Sequence, residues 1–174
     1  NQGWKLMSAD YSQIELRVMA HLSGEPALID AFNKNEDIHS RTASLVFNTS
    51  AEQITEDQRR TAKIVNFGIM YGAGPFRMSQ ELGISMVDAR NLIDNYFNTY
   101  PQIRNFIDST ISNAKELGYV KTVHGRKRKT RFLNSGNRQQ IQAESRVIIN
   151  MPIQGTAAEL IKIAMINIYH KLKT

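Results

Sequence analysis

Four side chains at intervals of four residues form the most informative pattern in this sequence. They are Arg59, Lys63, Phe67 and Tyr71, within the segment RRTAKIVNFGIMYG at 59–72. On an α-helix, each step of four residues advances about 6 Å along the axis and turns about 40° around it, so the side chains would form one continuous stripe. A guanidinium and an ammonium group can bind phosphate oxygens, and an aromatic ring can stack on a flat ligand. The pattern indicates a nucleoside triphosphate site. A solvated basic face with two aromatic residues in the core is the alternative.

An acidic residue lies where a predicted strand gives way to a predicted helix. Lys5–Asp10 is predicted to form a short strand, and the helix that follows would run to about Leu22. Ser12 is a suitable N-cap for this helix, and Glu15 three residues later would complete a capping box. Hard divalent cations bind carboxylate oxygens, so Asp10 is a candidate metal ligand, with an ordinary turn aspartate as the alternative. A metal carboxylate and a triphosphate site together predict phosphoryl or nucleotidyl transfer.

Several segments resemble one enzyme family, in the expected order and at the expected intervals. DYSQIELR at 10–17 resembles motif A of the family A DNA polymerases, the DNA polymerase I type, and R-x3-K-x3-F-x3-YG at 59–72 resembles their motif B. DIH at 37–39 and NMPIQG at 150–155 resemble further segments of the family. The likeness covers nearly the whole chain, and it implies a partial polymerase palm with a fingers subdomain.

The resemblance implies a role for individual residues. Asp10 would be a catalytic, metal-binding aspartate, and the carbonyl oxygen of Tyr11 would ligate one of two Mg²⁺ ions. Lys63 would be catalytic as well as nucleotide-binding, while Glu15 and Tyr71 would together exclude a ribose 2′-hydroxyl group. The residues implied to bind the deoxynucleoside triphosphate are Gln13, Glu15, His39, Arg59, Lys63, Phe67 and Tyr71. Those implied to lie at the minor groove of primer–template DNA are Arg146, Asn150 and Gln154.

One feature of the family does not occur in this sequence. The family's second catalytic carboxylate lies in motif C, a His-Asp-Glu sequence on a hairpin, and this chain contains no His-Asp pair. Two-metal catalysis holds two ions about 3.5–4 Å apart, which one aspartate is not expected to do. Because the chain also begins at Asn1 without a methionine, we expect an internal fragment that ends before motif C. Such a fragment would bind its substrates but would not catalyse nucleotide addition by itself.

Composition agrees with a globular protein that binds a polyanion. The 174 residues are 41% hydrophobic, which is ordinary for such a protein, and their net charge of +6 suits a nucleic acid. No apolar run approaches the 18 or so residues of a membrane span, so no membrane partner is expected. The absence of cysteine excludes disulfides and thiolate metal sites, and is compatible with the reducing cytoplasm that we expect as the location.

Positive charge is concentrated in residues 101–140, which hold nine Lys and Arg against two Asp and Glu. Within them, β-branched and aromatic residues at 119–123 predict a strand, and residues 119–132 are predicted to form a β-hairpin that turns near Gly125. Arg126, Arg128 and three other basic residues on this ribbon could contact DNA phosphates with little sequence preference. A solvated basic turn is the alternative.

The remainder of the chain is predicted to be mostly helical, so the expected fold class is α+β, predominantly helical. The predicted helices are Glu25–Phe32, Ile38–Phe47, 55–70, Met86–Phe97, Gln102–Leu117 and a last helix from near Gln154. We expect a single unit in which residues 1–36 and 141–174 are palm-like and residues 37–140 are fingers-like. Because the apolar face of the last helix would lack part of its family neighbours, the chain is expected to self-associate through it.

Two other functional classes compete with the polymerase interpretation. A nucleic-acid or nucleotide-binding module without chemistry would have no use for a metal carboxylate at Asp10. A single-subunit RNA polymerase would share the Arg/Lys and Tyr-Gly pattern, but Glu15, Phe67 and DYSQIELR resemble the deoxynucleotide-selective enzymes. Titration of deoxy- against ribonucleoside triphosphates would distinguish the DNA polymerase from the RNA polymerase interpretation.

Overall fold

The computed structural model describes Gly3 and residues 5–173. These residues form eight α-helices, one short 3₁₀-helix and two β-strands, so the predicted fold class is confirmed. The helices are α1 (Ile14–Ser23), α2 (Pro26–Asn33), α3 (Ile38–Phe47), α4 (Glu56–Met70), α5 (Pro75–Leu82), α6 (Met86–Thr99), α7 (Pro101–Leu117) and α8 (Arg138–Lys173). The strands are β1 (Tyr119–Lys121) and β2 (Lys127–Lys129), and the 3₁₀-helix is Ala51–Gln53.

Side-chain caps explain why several helices begin where the sequence predicts. Thr55 and Gln58 form a capping box at the start of α4, in which the Gln58 amide nitrogen donates to Thr55 Oγ1 at 3.2 Å. The Thr55 amide nitrogen donates in return to Gln58 Oε1 at 3.0 Å. Ser85 caps α6 and Asp37 caps α3 in the same general way. Each cap satisfies backbone donors that have no partner inside the helix.

Two predictions for the first segment are wrong. Lys5–Asp10 is exposed and does not form a strand, because β1 and β2 pair only with each other in the described part of the chain. Ser12 does not cap α1, since Gln13 occupies the N-cap position in a left-handed conformation (φ 54°) without a side-chain cap. The Ser12 carbonyl oxygen instead accepts a hydrogen bond from Arg17 Nε at 3.0 Å. A strand depends on a neighbouring strand, which the sequence of one segment does not reveal.

Proline explains two further differences from the sequence prediction. The last helix begins at Arg138 rather than near Gln154, and α8 runs for 36 residues through Pro152. Proline removes a helical hydrogen bond and usually marks the boundary of a helix. For this reason the predicted start of α8 lies too late in the sequence. Pro75 acts differently, because it occupies the first turn of α5, a helix that is absent from the predicted set.

The main core contains residues from all of the helices α1 through α7 and from the middle of α8. Tyr96 and Tyr100 lie at its centre, edge to face with their ring centroids 5.0 Å apart, and Ile153 and Ala157 extend it onto α8. Helix α3 packs along α4, whereas α1 contacts α2, α7 and α8. Helix α4 is therefore packed against α3, α5 and α6, and the cleft described below lies along it.

The predicted hairpin is confirmed at residues 119–129. Tyr119 pairs with Lys129 and Lys121 with Lys127 in antiparallel register, and Gly125 adopts φ 87° in the turn. A second, smaller apolar cluster beneath it contains Ala114, Val120, Leu133 and Ile148.

The carboxyl-terminal part of α8 leaves apolar side chains exposed. They are Ile161, Ile163, Met165, Ile166, Tyr169 and Leu172. In the described part of the chain, none of the helices combines the length and apolar character required to cross a membrane.

Candidate functional site

The predicted stripe lies on α4, with Tyr71 at the residue that ends the helix. The rings of Phe67 and Tyr71 are nearly parallel at a centroid distance of 6.1 Å, and His39 from α3 lies 5.9 Å from Phe67. A cleft of about 480 Å³ runs beside them, which we call the α4 cleft. It is lined by Arg60, Lys63, Ile64, Phe67, Gly68, Tyr71, Arg77 and Glu81. The two aromatic residues are half-buried, so they contact the core and line the cleft at the same time.

Arg59 is held at the beginning of the stripe by Asp37. Arg59 Nε donates to Asp37 Oδ2 at 2.7 Å, and the other Asp37 oxygen accepts from the amide nitrogen of His39 at 3.1 Å. Burial alone would raise the pKa of Asp37, but the hydrogen bonds from Arg59, Ser40 and the His39 amide lower it overall. The same bond to Asp37 raises the pKa of Arg59. Because Asp37 engages Nε, this pairing does not use the two terminal nitrogens of the guanidinium, which are the ones suited to bind a phosphate.

His39 is only 4% exposed, although it was predicted to bind a triphosphate. Its Nδ1 lies 3.2 Å from Nδ2 of Asn66, a residue on α4. Burial lowers the pKa of His39, Asp37 opposes this change, and Arg59 and Lys63 reinforce it. The imidazole is therefore held neutral near pH 7, and a neutral imidazole has one nitrogen that donates and one that accepts.

Glu15 and Tyr71 form the direct contact between the motif A and motif B segments. The Tyr71 hydroxyl donates to Glu15 Oε2 at 2.6 Å. Burial and then Glu15 raise the pKa of the Tyr71 hydroxyl, while a hydrogen bond with the Gln154 side chain lowers it. Three helices thus meet at one phenol group, because Glu15 lies on α1 and Gln154 on α8.

Asp10 and Tyr11 are exposed, and Gln13 lies half-buried just before α1. No group of three His, Cys, Asp or Glu side chains suitable for a metal ion occurs among Gly3 and residues 5–173. The donor set nevertheless fits Mg²⁺ in one respect. This ion is commonly held by one or two carboxylates together with substrate phosphates, and Asp10 offers such a carboxylate.

A second groove, of about 540 Å³, lies between the β-hairpin and α8, and we call it the hairpin groove. It is lined by Arg126, Lys127, Arg128, Val147, Asn150, Met151, Gln154 and Gly155. Four residues predicted to contact DNA are therefore brought together here: Arg126, Arg128, Asn150 and Gln154. The fifth, Arg146, lies outside this lining and packs against Gly72, where an added Cβ would come within 2.8 Å of Arg146 Cγ.

Within the hairpin groove, Arg126 is fixed to α8 by several contacts. Its Nε lies 3.0 Å from Glu159 Oε1, and its Nη2 donates to the carbonyl oxygen of Gly155 at 3.3 Å. Glu159 also accepts from the Thr122 hydroxyl at 3.1 Å, and its other oxygen lies 3.2 Å from Nδ1 of His124. Arg126 thereby anchors the turn, whereas the side chains of Lys127, Arg128 and Lys129 are exposed.

Several residues of these two sites were not predicted from the sequence. Asp37 was noticed only as part of a family segment, although an aspartate before a helix is a recognisable N-cap. Asn66 and Glu159 left no such signal, because a polar residue on a helix gives no indication of a partner on another element. Arg77 and Glu81 were missed together with α5, the helix that carries them.

The whole chain is similar to proteins of one family. The profile of DNA polymerase family A matches residues 1–174. The thermostable DNA polymerase I of Thermus filiformis is 45% identical over 172 residues, which are 99% of this chain and 21% of that protein. DNA polymerase I of Chloroflexus aurantiacus is 47% identical over 171 residues, which are 98% of this chain and 18% of that protein. The chain thus spans about a fifth of the length of these relatives.

A solved structure has a closely similar fold. It is the POL domain of Pol1 from M. smegmatis in complex with DNA primer–template and dNTP. The TM-score is 0.90 at 41% sequence identity, over 94% of this chain and 29% of that one.

Proposed function

Because the chain belongs to DNA polymerase family A, of whose polymerase domain it forms a part, we propose that it supplies the deoxynucleoside triphosphate site and part of the primer–template surface for template-directed nucleotidyl transfer. The α4 cleft would take the incoming nucleotide, and the hairpin groove would take the DNA. Lys63, Phe67 and Tyr71 line the α4 cleft, whereas Arg59 and His39 lie outside its lining. They are assigned to the nucleotide because they lie next to the stripe of α4, where Arg59 contacts Asp37 and His39 packs near Phe67.

The nucleotide would lie along the stripe of α4. Arg59 and Lys63 would bind the triphosphate together with His39, and Phe67 would pack on the sugar and base. Arg59 is oriented for this task by Asp37, at 2.7 Å from its Nε. Held cations bind a phosphate at a smaller entropic cost than mobile ones, because fewer rotamers are lost on binding.

The observation that carries this proposal is the hydrogen bond of 2.6 Å from Tyr71 to Glu15. These two residues come from the motif A and motif B segments and lie 56 positions apart in sequence. Their contact closes the end of the stripe where the sugar would lie. A closed, polar wall at this point would exclude a ribose 2′-hydroxyl group and favour a deoxynucleotide. This selectivity distinguishes the proposal from a single-subunit RNA polymerase.

Asp10, with the carbonyl oxygen of Tyr11, would hold Mg²⁺ together with the nucleotide phosphates. The two ions of a complete site would neutralise the charge that develops during phosphoryl transfer. Residues 1–174 contain only the first of the two catalytic carboxylates that the family uses. We therefore expect nucleotide and DNA binding by this chain without nucleotide addition.

The DNA would lie against the hairpin groove and the beginning of α8. Arg128 and the neighbouring lysines would contact phosphates, while Asn150, Gln154 and Arg146 would lie near the minor groove at the primer end. The Gln154 side chain lies close enough to Tyr71 to lower the pKa of its hydroxyl, so the DNA site and the nucleotide site would share a boundary. We assign residues 1–36 and 141–174 to the palm and residues 37–140 to the fingers on the same basis.

Equilibrium titration with dTTP and UTP in the presence of Mg²⁺ tests the nucleotide site. We expect saturable dTTP binding, weaker UTP binding, and a loss of most dTTP affinity in Lys63→Ala. Arg90→Ala is the matched control, because it removes one positive charge from an exposed position on α6. Equal affinity for dTTP and UTP, or equal effects of the two substitutions, would contradict the proposed site.

A primer-extension assay on the same preparation tests the expectation about catalysis. We expect the chain to retain labelled primer–template on a filter without lengthening the primer. Template-directed incorporation by this chain would overturn the expectation that a second carboxylate is needed.

We also propose that the isolated chain self-associates through the exposed apolar side chains of α8, such as Met165, Ile166 and Leu172. Light scattering over a hundredfold range of concentration would detect a dimer or larger species. A monomer throughout that range would contradict this proposal.

A further inference from the structure

A buried polar network lies behind the predicted triphosphate site. It consists of His39 and Thr42 on α3, Asn66 on α4, and Tyr100 at the end of α6. His39 is 4% exposed and the other three are 0% exposed. A polar side chain in such a position costs stability unless its hydrogen-bonding groups are satisfied, so the partners of each group are informative.

The network is continuous from one end to the other. Nδ2 of Asn66 lies 3.2 Å from His39 Nδ1 and 3.2 Å from Thr42 Oγ1. Thr42 Oγ1 in turn lies 3.0 Å from the hydroxyl oxygen of Tyr100 and 3.4 Å from Oδ1 of Asn66. Asn66 is thus held by two residues of α3, one of which, Thr42, also contacts Tyr100. The amide nitrogen of Asn66 faces one particular nitrogen of the imidazole.

The chemistry of an amide decides the form of the histidine. An amide nitrogen donates hydrogen bonds and does not accept them, so the Nδ1 that faces it must be the unprotonated nitrogen of the ring. In a neutral imidazole the proton then lies on Nε2. That nitrogen is the one available to donate to a phosphate oxygen.

Resting on the function proposed above, we propose that Asn66 is a positioning residue that holds His39 as the neutral, Nε2-protonated tautomer, so that His39 donates a hydrogen bond to the triphosphate. In this arrangement Asn66 does not touch the nucleotide and acts only through the histidine. The alternative role for Asn66 is purely structural, as a polar link between α3 and α4.

The charged groups around His39 are consistent with a neutral ring. Asp37, the cap of its own helix, favours the charged form, whereas Arg59 and Lys63 from α4 disfavour it, as does burial. Because the two cations already lie nearby, the histidine supplies a directed donor rather than a third positive charge.

The tautomer can be measured without any nucleotide. Ring ¹⁵N chemical shifts of His39 in the labelled chain at pH 7.5 should show a protonated Nε2 and an unprotonated Nδ1. In Asn66→Asp, which is nearly equal in size, the carboxylate accepts instead of donating, so the proton should move to Nδ1. Thr42→Ser keeps the hydroxyl group and is the matched control, with no expected change of tautomer.

The effect on nucleotide binding is measured with dTTP and Mg²⁺. Asn66→Leu removes the amide without adding charge, and we expect about tenfold weaker dTTP binding, the usual consequence of losing one hydrogen bond to a charged group. In a His39→Gln background, where the glutamine amide donates regardless of its neighbour, Asn66→Leu should change the affinity by less than about twofold. A merely structural role would weaken binding equally in both backgrounds.

Several results would overturn the role of Asn66. They are a protonated Nδ1 in the unsubstituted chain, an unchanged dTTP affinity in Asn66→Leu, or an equal loss in the two backgrounds. If the unsubstituted chain does not bind dTTP, the proposed function fails, and the ring tautomer alone then supports or overturns the positioning by Asn66. The first measurement needs no variant, so a substitution that unfolds the chain does not prevent a decision.

Discussion

The α4 cleft and the hairpin groove both carry positive charge, but they hold it in opposite ways. Beside the cleft, Arg59 is fixed by Asp37 at 2.7 Å, and His39 is held by Asn66 at 3.2 Å. At the groove, Arg126 is tied to Glu159, while Lys127, Arg128 and Lys129 are exposed and take part in none of the salt bridges of the described residues. Donors held by a partner suit a small ligand of defined shape, whereas exposed cations without a salt-bridge partner suit a polyanion that presents many equivalent phosphates.

This difference leads to distinct salt dependences for the two ligands. Neutralisation of DNA phosphates releases counterions, so the affinity falls steeply with salt in proportion to the number of contacts. A nucleotide held by two or three directed donors has far fewer charges to exchange.

The largest expected effect is on DNA binding by a hairpin variant. Replacing Lys127, Arg128 and Lys129 with serine should weaken binding about a hundredfold at 0.15 M salt and should lower the slope of log affinity against log salt by about 2.7. Filter binding of primer–template between 0.05 and 0.3 M NaCl measures both quantities.

The dTTP affinity of the same hairpin variant is the control, and it should be unchanged. An equal loss of DNA and dTTP binding would indicate that the two sites are not separate. An unchanged slope would mean that the exposed cations of β2 do not contact phosphates.

The second prediction concerns the cleft. Arg59→Ala should weaken dTTP binding by about tenfold to a hundredfold, because it removes a charge-assisted hydrogen bond to the triphosphate. Its effect on primer–template binding should be less than about twofold. Calorimetric titration of dTTP measures the first value, with Arg104→Ala as a control that removes an exposed guanidinium from α7.

Asp37→Asn sharpens this second prediction. The substitution keeps the size of the side chain but weakens its hold on Arg59, so dTTP binding should fall by less than in Arg59→Ala. A larger fall in Asp37→Asn would show that Asp37 does more than orient the arginine.

The third prediction concerns the stability of the hairpin. Glu159→Gln should destabilise the chain by about 1–2 kcal/mol, because the carboxylate is 16% exposed and its Oε1 accepts from both Arg126 and Thr122. Thermal unfolding followed by circular dichroism measures the change. Glu116→Gln, at an exposed position on α7, is the matched control and should change the stability by less than about 0.5 kcal/mol.

The contrast between the two sites also shows what the sequence can predict. Local signals in the sequence predicted α3, α4, α6 and the hairpin, because caps, helical periodicity and a glycine turn each act over a few residues. The stripe on α4 and the basic ribbon were found for the same reason.

The remaining features depend on partners that are distant in sequence. Asp37 pairs with Arg59 across 22 positions, Asn66 with His39 across 27, and Thr122 with Glu159 across 37. The absence of a strand at Lys5–Asp10 has a similar cause, since pairing depends on another segment. Nothing in a short window of sequence specifies such contacts, whereas the helix that carries each residue could be predicted.

The smallest expected effect is on the pH dependence of stability, and it separates the cleft from the groove once more. The pKa of His39 is lowered in the folded chain, mainly by burial. The unfolded chain therefore binds a proton at His39 more readily, near the usual pKa of about 6.5. Stability contributed by this group is complete above that pKa and is lost as the pH falls from it through the lower pKa of the folded chain. We expect the unfolding temperature to fall between pH 7.5 and 5.5, and to fall less steeply in His39→Gln. His124→Gln, at the exposed hairpin turn, should retain the slope that His39 causes. If His39→Gln and the unsubstituted chain have the same slope, the buried network does not hold the ring in its neutral form.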